Sequence, residues 1–149
     1  MPGLVRFVLI AVASASAFAL AATAGLADGI APGLWRITSR TETGGVIGPP
    51  HESLRCFSPS QASDVVATFV PAAGADSTSC TPAEHNLRGG KLSWRLACRG
   101  QTNMEQSGEY LFDGPRHYTA TVQTRAAVSG ATMIDAQDRL EGQWVSECR

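Results

Sequence analysis

Four cysteines, Cys56, Cys80, Cys98 and Cys148, constrain this chain more than any other feature, because all of them follow an N-terminal segment with the character of an export leader. An even number of thiols in an exported chain reads first as a disulfide framework. Three pairings are open. Cys80 and Cys98 flank Arg88-Gly89-Gly90-Lys91, where two consecutive glycines can both take the positive φ of a two-residue hairpin turn. Pairing them leaves Cys56 for Cys148, which ties the first half of the domain to its C-terminal end. A strict turn sets Leu87 opposite Leu92 and His85 opposite Trp94, but it sets Cys98 opposite Thr81. A bulge near Pro82, which has no amide hydrogen to give to a ladder, brings Cys80 into place. The cysteines are separated by 23, 17 and 49 residues, unlike the close ligand pairs of zinc modules or a C-x-x-C redox centre.

The leader reading rests on residues 1–27, which hold one basic residue, Arg6, and no acid. An apolar run from Phe7 to Ala22 ends in small residues, with A-x-A-like sites at Ala22-Thr23-Ala24 and Gly25-Leu26-Ala27. The run of 16 residues is short of the roughly 20 that cross a bilayer core, which favours a signal peptide cleaved after Ala27 or Ala24 over a membrane anchor. The expected organisation is a signal peptide over 1–27 and a single exported β-rich domain over 28–149, located in the periplasm, with no membrane span once the leader is removed.

The 122 residues that remain carry a formal charge of −2 and are enough for one core. The whole chain has 12 basic and 13 acidic residues, so it lacks the basic surplus that grips a nucleic-acid backbone, and no nucleic-acid partner is expected.

From Gly33 onward, short alternating segments punctuated by glycine and proline have the period of strands. Leu34 to Thr41 alternates around Trp35 and Ile37, and Ser53 to Phe57 forms a second strand. Ser58-Pro59-Ser60-Gln61 is a helix start, with a Ser cap, Pro at the first helical position and Gln placed to bond back. One helix over Pro59 to Phe69 follows, with Ala62, Val65, Val66 and Phe69 on its sheet-facing side. Pro71 to Ser79 reads as a loop and Gln101 to Gln106 as a polar break. Leu92, Trp94, Leu96 and Cys98 form one face of a strand; Tyr110 with Phe112, then Tyr118, Ala120 and Val122, continue the pattern. Thr132 to Leu140 is a further strand, and Trp144 closes the core. The expected fold is mainly β, a curved antiparallel meander of about seven strands, open or barrel-like, with one short helix and two disulfides.

Pro32-Gly33-Leu34-Trp35-Arg36-Ile37-Thr38, Cys56-Phe57-Ser58-Pro59, Gly89-Gly90-Lys91-Leu92-Ser93-Trp94 leading to Cys98, Ser107-Gly108-Glu109-Tyr110 and the terminal Cys148 together resemble the bacterial exported family catalogued as domain of unknown function 3617. The resemblance implies export in Gram-negative bacteria and a small, mostly β domain with paired cysteines. It implies no activity. It also implies an acidic residue after Trp35, where this chain has Arg36.

No G-x-S-x-G elbow, H-E-x-x-H, P-loop or dinucleotide fingerprint is present, and neither catalytic residues, a metal nor a cofactor is expected. His51, His85 and His117 are not placed by sequence beside a nucleophile and an orienting acid. The acid pairs Asp135 with Asp138 and Glu105 with Glu109 read as solvated surface. Two candidate binding features remain. Trp35, Trp94, Tyr110, Phe112, Tyr118 and Trp144 form an apolar face able to line a ligand cavity. Arg36, Arg40, Arg95 and Arg99 occupy the outward faces of two strands and form an anion- or partner-binding stripe if those strands are neighbours. The expected function is a non-enzymatic periplasmic binder of a small apolar or amphipathic ligand or envelope component, the alternatives being an envelope protein-interaction module and, third, a small hydrolase.

Overall fold

The computed structural model describes residues 29–72, 79–100, 102–128 and 131–149. The expected leader and its cleavage sites lie outside those residues, as does most of the loop expected at Pro71 to Ser79. The elements in chain order are β1 (Gly33–Thr43), β2 (Val46–Ile47), β3 (His51–Phe57), α1 (Pro59–Ser63), α2 (Val65–Phe69), β4 (Ser79–Arg88), β5 (Lys91–Arg99), β6 (Thr102–Gly114), β7 (His117–Val128) and β8 (Ala131–Ser146). All eight strands join one antiparallel sheet in the order β2-β1-β8-β7-β6-β5-β4, with β3 also paired to β1. Because β2 and β3 share one edge of β1, the sheet is seven strands wide, and it stays open between that edge and β4. Among the described residues no helix is long and apolar enough to cross a membrane.

The hairpin between β4 and β5 forms as the two glycines require. Gly89 and Gly90 take φ of 58° and 75°, and Leu87 pairs with Leu92 and His85 with Trp94. A register shift between Thr81 and Glu84 then sets Cys80 opposite Cys98, and the two are joined. Cys56 is joined to Cys148. Leu34 of β1 pairs with Cys56 on one side and Ser146 on the other, so this second bridge straddles β1 and fastens the β3 edge to the chain end after β8.

Two elements differ from expectation. The single helix is two five-residue helices, because Asp64 leaves the helical region (φ −119°, ψ 79°) and its carboxylate accepts from the Ala67 amide at 2.9 Å, capping a new helix. The capping box at Ser58 and Gln61 is present as read. The polar break at Gln101 to Gln106 is instead ladder from Thr102 onward: Met104 pairs with Cys98 and Ala126, and Gln106 with Leu96 and Thr124. Backbone pairing across two long neighbours outweighs the polar side chains there.

One face of the sheet carries the core. Trp35, Phe57 and Tyr118 are almost wholly buried, and Phe69 of α2 packs between Tyr110, Phe112, Tyr118 and Phe57, with ring centroids 4.9 to 5.6 Å away. These are normal separations for offset or edge contacts between aromatic rings. The other face is polar.

Candidate functional site

The aromatic residues expected to line a ligand cavity pack mainly against one another. Trp35 lies 5.6 Å from Tyr118 and 6.0 Å from Phe57, and Tyr110 stacks on Phe112 at 6.2 Å. Trp94 is 5% exposed, flanked by buried Leu92 and Leu96 along β5. Trp144 is half-buried at one end of β8, where its Nε1 donates to the Pro32 carbonyl at 3.0 Å and the Arg116 guanidinium sits 4.4 Å above its ring. Arg55, which sequence reasoning did not single out, reaches over the Phe57 ring at 4.7 Å. Burial drives both tyrosine hydroxyls up in pKa, with the Arg55 charge opposing it, so both phenols are neutral well into the alkaline range. A neutral, filled layer results.

The open space is on the opposite face. A trough of about 780 Å³ runs across β4, β5, β6, β7 and β8. Register explains it. Glu84, Arg95, Ser107, Gln123 and Gln137 follow one another across five paired strands, and Asn86, Ser93, Glu109 and Thr121 form the adjacent row. Short hydroxyl side chains, Ser93, Ser107 and Thr121, are half-buried and make a low floor. Longer exposed side chains, among them Arg95, Glu109, Gln123 and Leu111, stand around it. Each hydroxyl offers one donor and two acceptor positions, and each amide side chain offers both roles, so the surface is suited to many hydrogen bonds, while Leu111, Ala120 and Trp94 add apolar area to the same lining. Alternation with Leu92, Trp94 and Leu96 on β5 and with Tyr118, Ala120 and Val122 on β7 puts Ser93, Arg95, Thr121 and Gln123 on the outward faces of those two strands. Their convergence depended on the strand order, which alternation does not carry.

The four arginines do not form a stripe. β1 and β5 are separated by β8, β7 and β6, so Arg36 and Arg40 lie far across the sheet from Arg95 and Arg99. Arg36 pairs with Glu52 at 3.1 Å and Arg99 with Glu105 at 3.2 Å, while Arg40 lies opposite Arg139 in the ladder. Arg95 alone of the four lines the trough, and among the described residues no carboxylate lies within ion-pair distance of it, although Glu84 is its ladder neighbour.

The histidines and acids are equally dispersed. His51 is on β3 and His85 on β4, at opposite edges of the sheet, and both are exposed. His117 on β7 is held between two carboxylates, its Nδ1 2.7 Å from Asp113 and its Nε2 3.2 Å from Glu141. Those hydrogen bonds raise its pKa, and they occupy both ring nitrogens, leaving neither for proton transfer to a bound molecule. Asp135 and Asp138 point to opposite faces of β8, the first toward Arg125 at 3.7 Å, the second accepting from Thr41. Glu105 and Glu109 lie four residues apart on one strand, about 13 Å, and pair separately with Arg99 and Lys91. Among the described residues no group of three or more His, Cys, Asp or Glu side chains is placed to hold a metal ion.

A family model described as Protein of unknown function (DUF3617) matches residues 30–148. No curated protein and no solved structure matches the chain.

Proposed function

The chain belongs to the DUF3617 family, whose description carries no activity, and from that premise we propose that it is an exported, non-enzymatic binding module of the bacterial envelope, working in the periplasm. Its ligand lies in the polar trough. The observation that carries this reading is the 780 Å³ recess itself, floored by Ser93, Ser107 and Thr121. Export is supported by the two cysteine pairs, both joined as disulfides, since such bonds persist in oxidising compartments.

An apolar ligand on the aromatic side is disfavoured. Making room there means pulling Phe69 from four ring partners, and opening a packed core costs both transfer energy and contacts. The ligand that fits is polar, or amphipathic with a small apolar part against Leu111, which is 46% exposed at the trough rim. The second reading, a module that pairs through a sheet edge, meets an obstacle at both edges. β4 is bulged between Thr81 and Glu84, and Gly48-Pro49-Pro50 interrupts the other edge, both devices that blunt strand addition.

Native mass spectrometry of the mature protein isolated from its own compartment tests the proposal. A co-purifying polar adduct is expected, absent from a Ser107→Tyr variant whose ring stands up from the floor. Repeated adduct-free spectra, together with one dominant protein partner captured by crosslinking in intact cells, would replace the trough reading with the interaction module.

A further inference from the structure

Resting on the trough reading, we infer that the trough is specific for carboxylate-bearing carbohydrate, a short acidic oligosaccharide gripped at its acid group by Arg95. Three features of the recess point there. The first is charge. Arg95 stands at the recess with no ion-pair partner among the described residues, whereas Lys91 at the neighbouring rim is held by Glu109 at 2.8 Å. A guanidinium offers a planar fork of donors that matches a carboxylate in two parallel hydrogen bonds.

The second feature sets how much negative charge is admitted. Glu84 lies opposite Arg95 in the ladder, whereas the charge of Glu109 in the adjacent row is met by Lys91. The field of Glu84 penalises a doubly charged phosphate more than a singly charged carboxylate, since repulsion scales with the charge brought in.

The third is the form of the polar floor. Ser93, Ser107 and Thr121 donate and accept at once, as sugar hydroxyls do, so each can meet a vicinal hydroxyl whichever way it points. A peptide backbone presents fixed donors and acceptors at strand spacing and is matched by a sheet edge, not by hydroxyls spread over two adjacent rows of a sheet face. Five strands at their usual spacing give a track about 19 Å across, room for a short oligosaccharide.

Titration calorimetry of the disulfide-bonded mature protein with glucuronosyl-maltose, which carries one carboxylate, and with maltotriose tests the inference. Glucuronosyl-maltose is expected to bind at least about tenfold more tightly than its neutral counterpart maltotriose, and Arg95→Gln to abolish that preference, as for loss of a charge-assisted bond. Arg95 is exposed, so the variant is expected to fold, checked by its unchanged thermal midpoint. Equal binding of the two sugars, unaffected by Arg95→Gln but blocked by Ser107→Tyr, would overturn the carboxylate inference and leave the trough reading standing. Failure of both sugars to bind would also overturn it, and the trough reading is then decided by the native adduct alone.

Discussion

The indole of Trp94 lies across Gly108 on the neighbouring strand, so close that a Cβ on that glycine would clash with the ring. Gly142 stands in the same relation to Tyr118, its ladder partner one strand pair away. Both are aromatic residues covering the bare backbone of a cross-strand glycine, which restores burial that glycine alone forfeits. The packing outweighs hydrogen bonding at Trp94, whose buried Nε1 has no partner among the described residues.

Gly108→Ala and Gly142→Ala are therefore expected to destabilise the protein by about 1 to 3 kcal/mol each, the usual cost of overpacking a rigid core. Urea titration measures it. Gly114, where an added Cβ meets open space and φ is not positive, is the control, and Gly114→Ala is expected to leave the midpoint unchanged or raise it.

The bridges differ in reach. Cys56 and Cys148 are 92 residues apart and Cys80 and Cys98 are 18, so loop entropy gives about 4.6 against about 3 kcal/mol. Of the paired Ser variants, Cys56→Ser with Cys148→Ser is expected to lower the denaturation midpoint more. An equal or reversed order would show that the buried position of Cys98 outweighs chain entropy.

His117 makes stability depend on pH in a definite sense. Asp113 and Glu141 raise its pKa in the folded state, so their stabilisation is complete below the ordinary histidine value of 6.5 and is lost as pH rises through the folded value. Thermal midpoints of the wild type should fall over that window relative to His117→Gln. Parallel pH profiles would contradict the assignment.

The chain has two tyrosines, both in the core, which makes their titration readable in isolation. Their raised pKa values favour the folded state fully below 10, and that contribution disappears as pH climbs above it. Phenolate absorbance is expected to appear only together with unfolding. Ionisation at the ordinary value with the fold intact would show that the layer around Phe69 is open to water.

Much of the fold was legible because local chemistry fixed it. Gly89-Gly90 set a hairpin, the hairpin set the pairing of His85 with Trp94, and the resulting misfit at Thr81 located the bulge that joins Cys80 to Cys98. Ser58 and Gln61 marked a helix start by the same kind of local bond. What escaped was set by distant neighbours. Nothing near Trp35 in sequence tells that β1 lies between β8 and β3, so the arginines of β1 and β5 could be imagined adjacent when three strands part them. The helix break at Asp64 is invisible in the apolar spacing of Ala62, Val65, Val66 and Phe69, which runs on across it. The candidate site was the least legible part. Its floor consists of serine and threonine, ordinary outward residues one strand at a time, and becomes a recess only when five strands align them.

Amide chemical-shift mapping with glucuronosyl-maltose, maltotriose and trialanine as probes tests most directly whether the polar face receives the ligand. Shifts confined to the rows through Ser93, Ser107 and Thr121 are the predicted result. Shifts centred on Tyr110, Phe112 and Tyr118 or along the outer strands would contradict it.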